Sequence, residues 1–100
     1  MKQPEKIKIR GNVYKILYNP IDGFEGLITY DERLITISNE ISSERARVAL
    51  GHEIIHAVMY EYDFIGVEMQ EELIAGTLWN LLHVVYVSNP EVKGFVFGKP

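Results

Sequence analysis

The chain of 100 residues contains no cysteine. This absence excludes a disulfide framework and a thiolate zinc site, so any zinc must be held by histidine and carboxylate side chains. It is also typical of proteins in a reducing compartment. The length and an apolar fraction of 47% predict one globular domain, residues 1–100, with room for one core and one site.

Positive charge is scarce as well. The chain has 10 lysine and arginine residues against 14 aspartate and glutamate residues, which gives a formal net charge of -4. Proteins that bind nucleic acid commonly present a basic surface that neutralises phosphates. The charge balance therefore disfavours a nucleic-acid partner.

Long hydrophobic runs are also absent. Residues 1–6 are charged and lack the apolar stretch of a signal peptide. Later apolar stretches are interrupted by glycine or by His83 and stay well short of the roughly 20 residues that span a bilayer. We therefore expect a cytoplasmic protein with no membrane partner.

The first part of the chain has the patterning of strands. Residues 6–18 alternate apolar and polar side chains, with a bend near Gly11. Two β-rich runs, 27–30 and 33–37, are separated by two acidic residues, which suits a tight hairpin. We predict about three antiparallel strands within residues 6–38.

The second part of the chain has the patterning of helices. Ser42 and Ser43 supply hydroxyls able to cap a helix, which we predict over about residues 43–60. A second helix is predicted over about residues 70–87, and Pro90 prevents its continuation. The fold class is therefore α+β, a small antiparallel sheet of about three strands followed by two main helices. The apolar stripe of the second helix consists of Ile74, Leu78, Leu81, Leu82 and Val85.

The first predicted helix carries the sequence His52-Glu53-Ile54-Ile55-His56. Because each helical residue advances by about 100°, His52 and His56 lie one turn apart on one face and can bind one ion. Two imidazoles and one carboxylate leave a zinc position open to water, whose pKa then falls to about 7. Glu53 can act as the general base that accepts the proton of this water and passes it to the leaving amine.

The third zinc ligand is less sharply defined by the sequence. Glu72 is preferred because it shares a helix face with the small residues Ala75 and Gly76, which allow a partner helix to approach closely. Glu71 stays open, since its own face is also apolar and a buried carboxylate needs a metal or a cation. Three weaker alternatives, expected to be solvated charges, are Glu61, Asp63 and Glu68.

Several other side chains could bear chemistry, although packing is the preferred interpretation of each. His83 is expected to be a packed or hydrogen-bonded histidine, with a pocket residue as the alternative, and Trp79 and Tyr86 are expected in the core rather than in a cleft. The hydroxyls of Tyr60 and Tyr62 could stabilise an oxyanion. Nothing in the sequence directs either hydroxyl toward the histidines, so packing is the preferred interpretation.

The order of these segments resembles the zincin metallopeptidases of the gluzincin type. The run Thr36-Ile37-Ser38, the histidine motif and Glu72-Leu73-Ile74-Ala75 look most similar to the ImmA/IrrE-type and related phage-encoded minimal metallopeptidases. The resemblance covers about residues 27–90. It implies a zincin-like fold, a Zn²⁺ ion held by His52, His56 and Glu72, Glu53 as general base, and a peptide or protein substrate.

The resemblance also implies a place for the substrate. In such folds the strand before the active helix lies at a sheet edge, where an extended peptide can pair with it, and residues 34–38 are the matching segment. The DNA-binding partner and the cysteine-rich zinc module found with some of these peptidases are not in this sequence. The identity of the substrate is therefore not inherited.

Two functions follow from the sequence. The first is a zinc-dependent metallopeptidase, which the intact Glu53 favours. The alternative is a zinc-bearing regulatory or binding module without turnover, which the small size favours because little wall remains for a substrate cleft. A structural role without metal would require the motif to arise by chance. The sequence leaves the oligomeric state open, and the same ligands would accept other first-row ions.

Overall fold

The computed structural model describes residues 3–62 and 81–97. These residues form a small α+β domain with one sheet. No described helix combines the length and the apolar character that crossing a membrane requires. The strands are β1 (Lys6–Ile9), β2 (Asn12–Asn19), β3 (Gly26–Thr29) and β4 (Leu34–Ser38), and the helices are α1 (Ser43–Glu61), α2 (residues 81–88) and α3 (Pro90–Phe97).

The strands β1 and β2 form an antiparallel hairpin whose turn is Arg10 and Gly11, next to the predicted bend. Both turn residues have positive φ, 51° and 81°. Such a turn matches the right-handed twist of the paired strands, and glycine adopts it without steric cost. The Arg10 guanidinium donates a hydrogen bond of 2.9 Å to the carbonyl oxygen of Glu61. The turn is therefore tied to the end of α1.

The sheet corrects the predicted antiparallel sheet of about three strands. It has four strands in the order β1-β2-β4-β3, and β2 and β4 are parallel. Alternation identifies a strand but not the direction of its neighbour, so the pattern could not predict this pairing. The two central strands present Ile16, Ile35 and Ile37 to the core, where they are buried. The edge strand β1 also contributes Ile7 and Ile9 to this buried face.

The helix α1 occupies Ser43–Glu61, against a prediction of about 43–60. Ser42 is its N-cap, and the Ser42 hydroxyl accepts a hydrogen bond of 3.1 Å from the backbone N–H of Arg45. Glu44 lies in the first turn, where its charge meets the positive end of the helix dipole. One face of α1 packs on the sheet. The largest buried core residues include Ile7, Ile9, Tyr14, Ile16, Ile35, Ile37, Leu50, Ile54 and Val58.

The C-terminal part of the described chain contains a helix that the pattern did not predict. Of the predicted second helix, about residues 70–87, only the end lies within the described residues, where residues 81–88 are helical. Pro90 then begins α3, because the first turn of a helix needs no N–H from that residue. Val92 and Phe95 are buried, and α3 packs against α1. The described helices therefore number three rather than two.

The outer edge of β1 is closed by a side chain. The carboxamide of Asn89 accepts a hydrogen bond of 3.1 Å from the Lys8 N–H and donates one of 3.0 Å to the Lys8 carbonyl. It also donates to the Val85 carbonyl at 2.7 Å. Edge strands present backbone groups that can pair with other chains, and Asn89 occupies those of Lys8. Within residues 3–62 and 81–97, no side chain makes a hydrogen bond of this kind to the backbone at the outer edge of β3.

We expect Asn89→Ala to lower the free energy of unfolding by about 1–3 kcal/mol, because the Lys8 and Val85 backbone groups lose their partner. Urea denaturation measures this change. Asn39→Ala is the control, since Asn39 is exposed and should leave stability within about 0.5 kcal/mol of wild type. Equal stability of the Asn89 variant and the wild type would contradict the assigned role.

Candidate metal centre

His52 and His56 lie one turn apart on α1, away from its core-facing side. Their Nε2 atoms are 3.1 Å apart, and their ring centroids are 4.7 Å apart with the ring planes inclined by 73°. His52 is exposed and His56 is half-buried. The four-residue spacing therefore brings two imidazole nitrogens to one accessible point.

The separation of the two nitrogens suits a shared zinc ion. Imidazole nitrogens bind zinc at about 2.0–2.1 Å, so two of them in a tetrahedral site lie about 3.3 Å apart. The 3.1 Å between the Nε2 atoms is close to this value. The same distance also allows one ring to donate a hydrogen bond to the other. Metal analysis distinguishes these two states of His52 and His56.

Glu53 lies next to His52 but turns toward the sheet. Its side chain is only 7% exposed and contacts the region of Gly26 on β3. Among the described residues, no hydrogen bond reaches the Glu53 carboxylate. The Glu53 oxygens are not among the fully buried side-chain atoms left without a partner in the described residues, so solvent in the cleft can reach them. A carboxylate placed there can accept a proton from water.

Tyr30 follows β3 and lies within electrostatic reach of Glu53. Burial and then the negative charge of Glu53 raise the pKa of Tyr30 above its ordinary value of 10.0, so its hydroxyl is protonated at neutral pH. The ring of Tyr30 stacks on that of Tyr60, with centroids 4.6 Å apart. Tyr62 instead packs under the guanidinium of Arg10. Tyr30 is therefore a tyrosine near α1 whose pKa is raised in part by the charge of Glu53.

A cleft of about 350 Å³ opens beside His52 and Glu53. Its opposite wall is formed by residues 23–26, and Val48 lies on its α1 side. Two apolar side chains at the cleft are well exposed, Phe24 by 63% and Val48 by 60%. The cleft therefore combines an imidazole and a carboxylate with apolar rims.

The open edge of the sheet is β3 rather than the expected strand. The resemblance placed residues 34–38 at the edge, but β4 pairs with β2 on one side and with β3 on the other. The chain reverses direction between β3 and β4, so that β4 lies inside the sheet and β3 forms its edge. Gly26 of β3 lies next to the Glu53 side chain. The strand beside Glu53 is consequently the edge strand of the sheet.

The preferred third ligand, Glu72, lies outside the described residues. So do Glu71 and the weaker alternatives Asp63 and Glu68. In the stretches 3–62 and 81–97 alone, no group of three or more histidine, cysteine, aspartate or glutamate residues could hold a metal ion. The described part of the predicted site is therefore the two histidines and Glu53.

Glu61 is engaged elsewhere, which corrects its expected role as a solvated charge and removes it as a ligand alternative. Its carboxylate accepts hydrogen bonds from Tyr14 at 2.5 Å, Asn12 at 2.8 Å and Arg33 at 3.0 Å. Burial alone would raise the pKa of Glu61, but these bonds and the Arg33 charge outweigh burial and lower the pKa. The network fastens the end of α1 to the sheet.

Because the pKa of Glu61 is lowered in the folded state, its carboxylate stabilises the fold above the ordinary pKa of 4.5. That contribution is lost as the pH falls through the lowered folded-state pKa. We expect Glu61→Gln to cost about 1–3 kcal/mol at pH 7 and to flatten the loss of stability in acid. Urea unfolding at neutral and acidic pH measures both, with Glu40→Gln as an exposed control. If the free energy of unfolding fell with pH in the same way for wild type and Glu61→Gln, the stabilising role of the Glu61 hydrogen bonds would be contradicted.

The remaining aromatic and histidine predictions lie on or near α2. His83 is exposed and lines, with Tyr86, an apolar groove of about 530 Å³ between the helices. Burial raises the pKa of Tyr86 to about 12, and its ring contacts that of Phe97. Tyr86 thus packs against the core, as expected, whereas Trp79 lies outside the described residues.

Four residues near the site were not singled out from the sequence: Gly26, Phe24, Val48 and Tyr30. A glycine inside a strand pattern often marks a close approach of two chain segments, so Gly26 carried a readable signal. The other three carried none. Phe24 and Tyr30 come near Glu53 only through the placement of β3 beside α1, and Val48, on α1 itself, had no feature that set it apart from other apolar helix residues.

Comparison of the chain with protein-family models, with curated proteins and with solved structures gives no match. The assignment of function therefore depends on the geometry of the histidines, Glu53 and the cleft.

Proposed function

We propose that the protein is a small zinc-dependent metallopeptidase with a zincin-like fold. His52, His56 and Glu72 hold the zinc, and Glu53 is the general base. The observation that supports the proposal is the convergence of the His52 and His56 Nε2 atoms at 3.1 Å, together with a buried Glu53 that lines one cleft with His52. A hydrogen-bonded histidine pair alone would not require a carboxylate in the cleft that His52 lines.

The residues divide the chemistry between them. Zinc bound there would lower the pKa of a bound water to about 7 and polarise the peptide carbonyl. Glu53 accepts the proton of the attacking water and returns it to the nitrogen of the leaving amine. Tyr30 lies within electrostatic reach of Glu53, and its hydroxyl is protonated at neutral pH.

The surroundings favour an extended peptide as substrate. The edge strand β3 offers backbone groups with which a peptide can pair as an added strand, and β3 runs beside the cleft. The exposed side chains of Phe24 and Val48 favour an apolar substrate side chain in the cleft. The cytoplasmic location and the absence of a nucleic-acid partner stay predictions from the sequence.

The alternative function is a zinc-bearing regulatory or binding module without turnover. Its support is the shallow cleft of about 350 Å³, which is at the small end for a site that encloses a ligand. Such a module would bind zinc and retain a peptide intact.

A peptide mixture separates the two functions. The zinc-loaded protein is incubated with peptides of varied sequence, and mass spectrometry identifies new termini. The metallopeptidase is expected to generate new termini that disappear when 1,10-phenanthroline removes the metal. Binding of peptides without cleavage would favour the module instead.

A further inference from the structure

The strand β3 approaches α1 closely at Gly26, opposite Glu53. A Cβ atom added to Gly26 would lie 3.0 Å from Oε2 and 3.1 Å from Cγ of Glu53. It would also lie 3.3 Å from Cδ1 of Ile37, the residue that pairs with Gly26 across the two strands. The two tightest of these contacts are therefore with the side chain that bears the carboxylate.

We propose that Gly26 is a positioning residue, whose missing side chain leaves the space in which the Glu53 carboxylate is held between α1 and β3 at the cleft. The catalytic consequence rests on the proposed function. Glu53 is 7% exposed, and its Oε2 and Cγ lie against the Gly26 position, so the space at Gly26 limits where the carboxylate can lie. Displacing a reacting group by about 1 Å can lower a rate about 100-fold.

The requirement at Gly26 is for space and not for backbone conformation. Gly11 and Gly23 have φ of 81° and 82°, and an added Cβ there would meet nothing within 4 Å. Gly26 shows the opposite behaviour, with an ordinary strand conformation and a crowded Cβ position. A larger side chain at Gly26 must therefore move either Glu53 or Ile37.

A matched control exists at Gly51, which directly precedes His52 on α1. A Cβ atom at Gly51 would lie 3.4 Å from Cγ1 of Val96, an ordinary van der Waals contact. Gly51→Ala therefore adds the same methyl group close to the metal centre without crowding Glu53.

The test compares Gly26→Ala with Gly51→Ala in zinc-loaded protein. We expect Gly26→Ala to lower kcat at least about tenfold while KM for peptide and the zinc content stay at wild-type values. Gly51→Ala should retain kcat. Full turnover by Gly26→Ala, or a loss of its zinc, would overturn the proposal.

A second variant removes the contact between the added methyl group and the core residue Ile37. Ile37→Val deletes the Cδ1 atom that this methyl group would touch. The deletion makes room in the core, so the double variant is less prone to misfold than Gly26→Ala alone. We expect Gly26→Ala in the Ile37→Val background to remain slow, since Glu53 is still crowded. Recovery of kcat in this double variant would show that the effect passed through Ile37 and would overturn the role assigned to Glu53 positioning.

A readout without turnover distinguishes failure of this inference from failure of the proposed function. The charge of Glu53 contributes to the raised pKa of Tyr30, which can be followed by NMR of ring-labelled tyrosine and assigned with Tyr30→Phe. If the wild type cleaves nothing, a shifted Tyr30 pKa in Gly26→Ala but not in Gly51→Ala still supports the positioning of Glu53. An unchanged Tyr30 pKa in both variants would overturn it.

Discussion

Glu53→Gln is expected to lower peptide turnover by about 100-fold or more while the zinc content stays at the wild-type level. The amide keeps the size of the carboxylate but cannot accept the proton of the attacking water. The amide also adds no atom toward Gly26, so the packing of this side chain between α1 and β3 is kept. We therefore also expect the variant to unfold close to the wild-type temperature.

Steady-state kinetics, elemental analysis and thermal unfolding measure these three quantities on one preparation. Glu44→Gln is the matched control, since Glu44 is an exposed carboxylate on the same helix and should keep wild-type turnover. Loss of turnover in both variants would point to a general effect of charge on α1. Undiminished turnover in Glu53→Gln would remove Glu53 as the general base.

His56→Ala is expected to lower zinc affinity more than about 100-fold, because changes to residues that merely support a zinc ligand already cost about 10–100-fold. Turnover should fall with the bound zinc. His52→Ala should behave alike, since the two Nε2 atoms converge on one point. Zinc titration with a competing chelator measures the affinities.

His83→Ala controls for the nonspecific loss of an imidazole. His83 is exposed on α2 and lines the apolar groove, so its replacement should leave zinc affinity unchanged. Equal zinc affinity of wild type and His56→Ala would exclude the metal site and leave a hydrogen-bonded histidine pair.

The sequence predicted local elements better than their arrangement. The cap at Ser42 and the start of α1 follow from interactions within a few residues, so they are readable from the chain. The parallel pairing of β2 and β4 joins two segments that are separated in the chain by β3, and it depends on how the whole sheet packs against α1. That choice is made by tertiary packing, and the alternation of side chains is the same for either direction.

The candidate site was predictable to a similar extent. The spacing of His52 and His56 fixes their convergence, because the geometry of one helical turn decides it. The space for Glu53 is made by Gly26, more than twenty residues earlier in the chain. Glu61 was misjudged for the same reason, since its partners Tyr14, on β2, and Arg33, in the turn before β4, are distant in the chain.

The most direct test is turnover of a peptide mixture measured while zinc is added stepwise to metal-free protein. We predict that zinc binds and that turnover rises in proportion, reaching its limit at about one zinc per chain. Protein that takes up no zinc, or that takes up zinc and cleaves no peptide, would contradict the assignment of a zinc-dependent metallopeptidase.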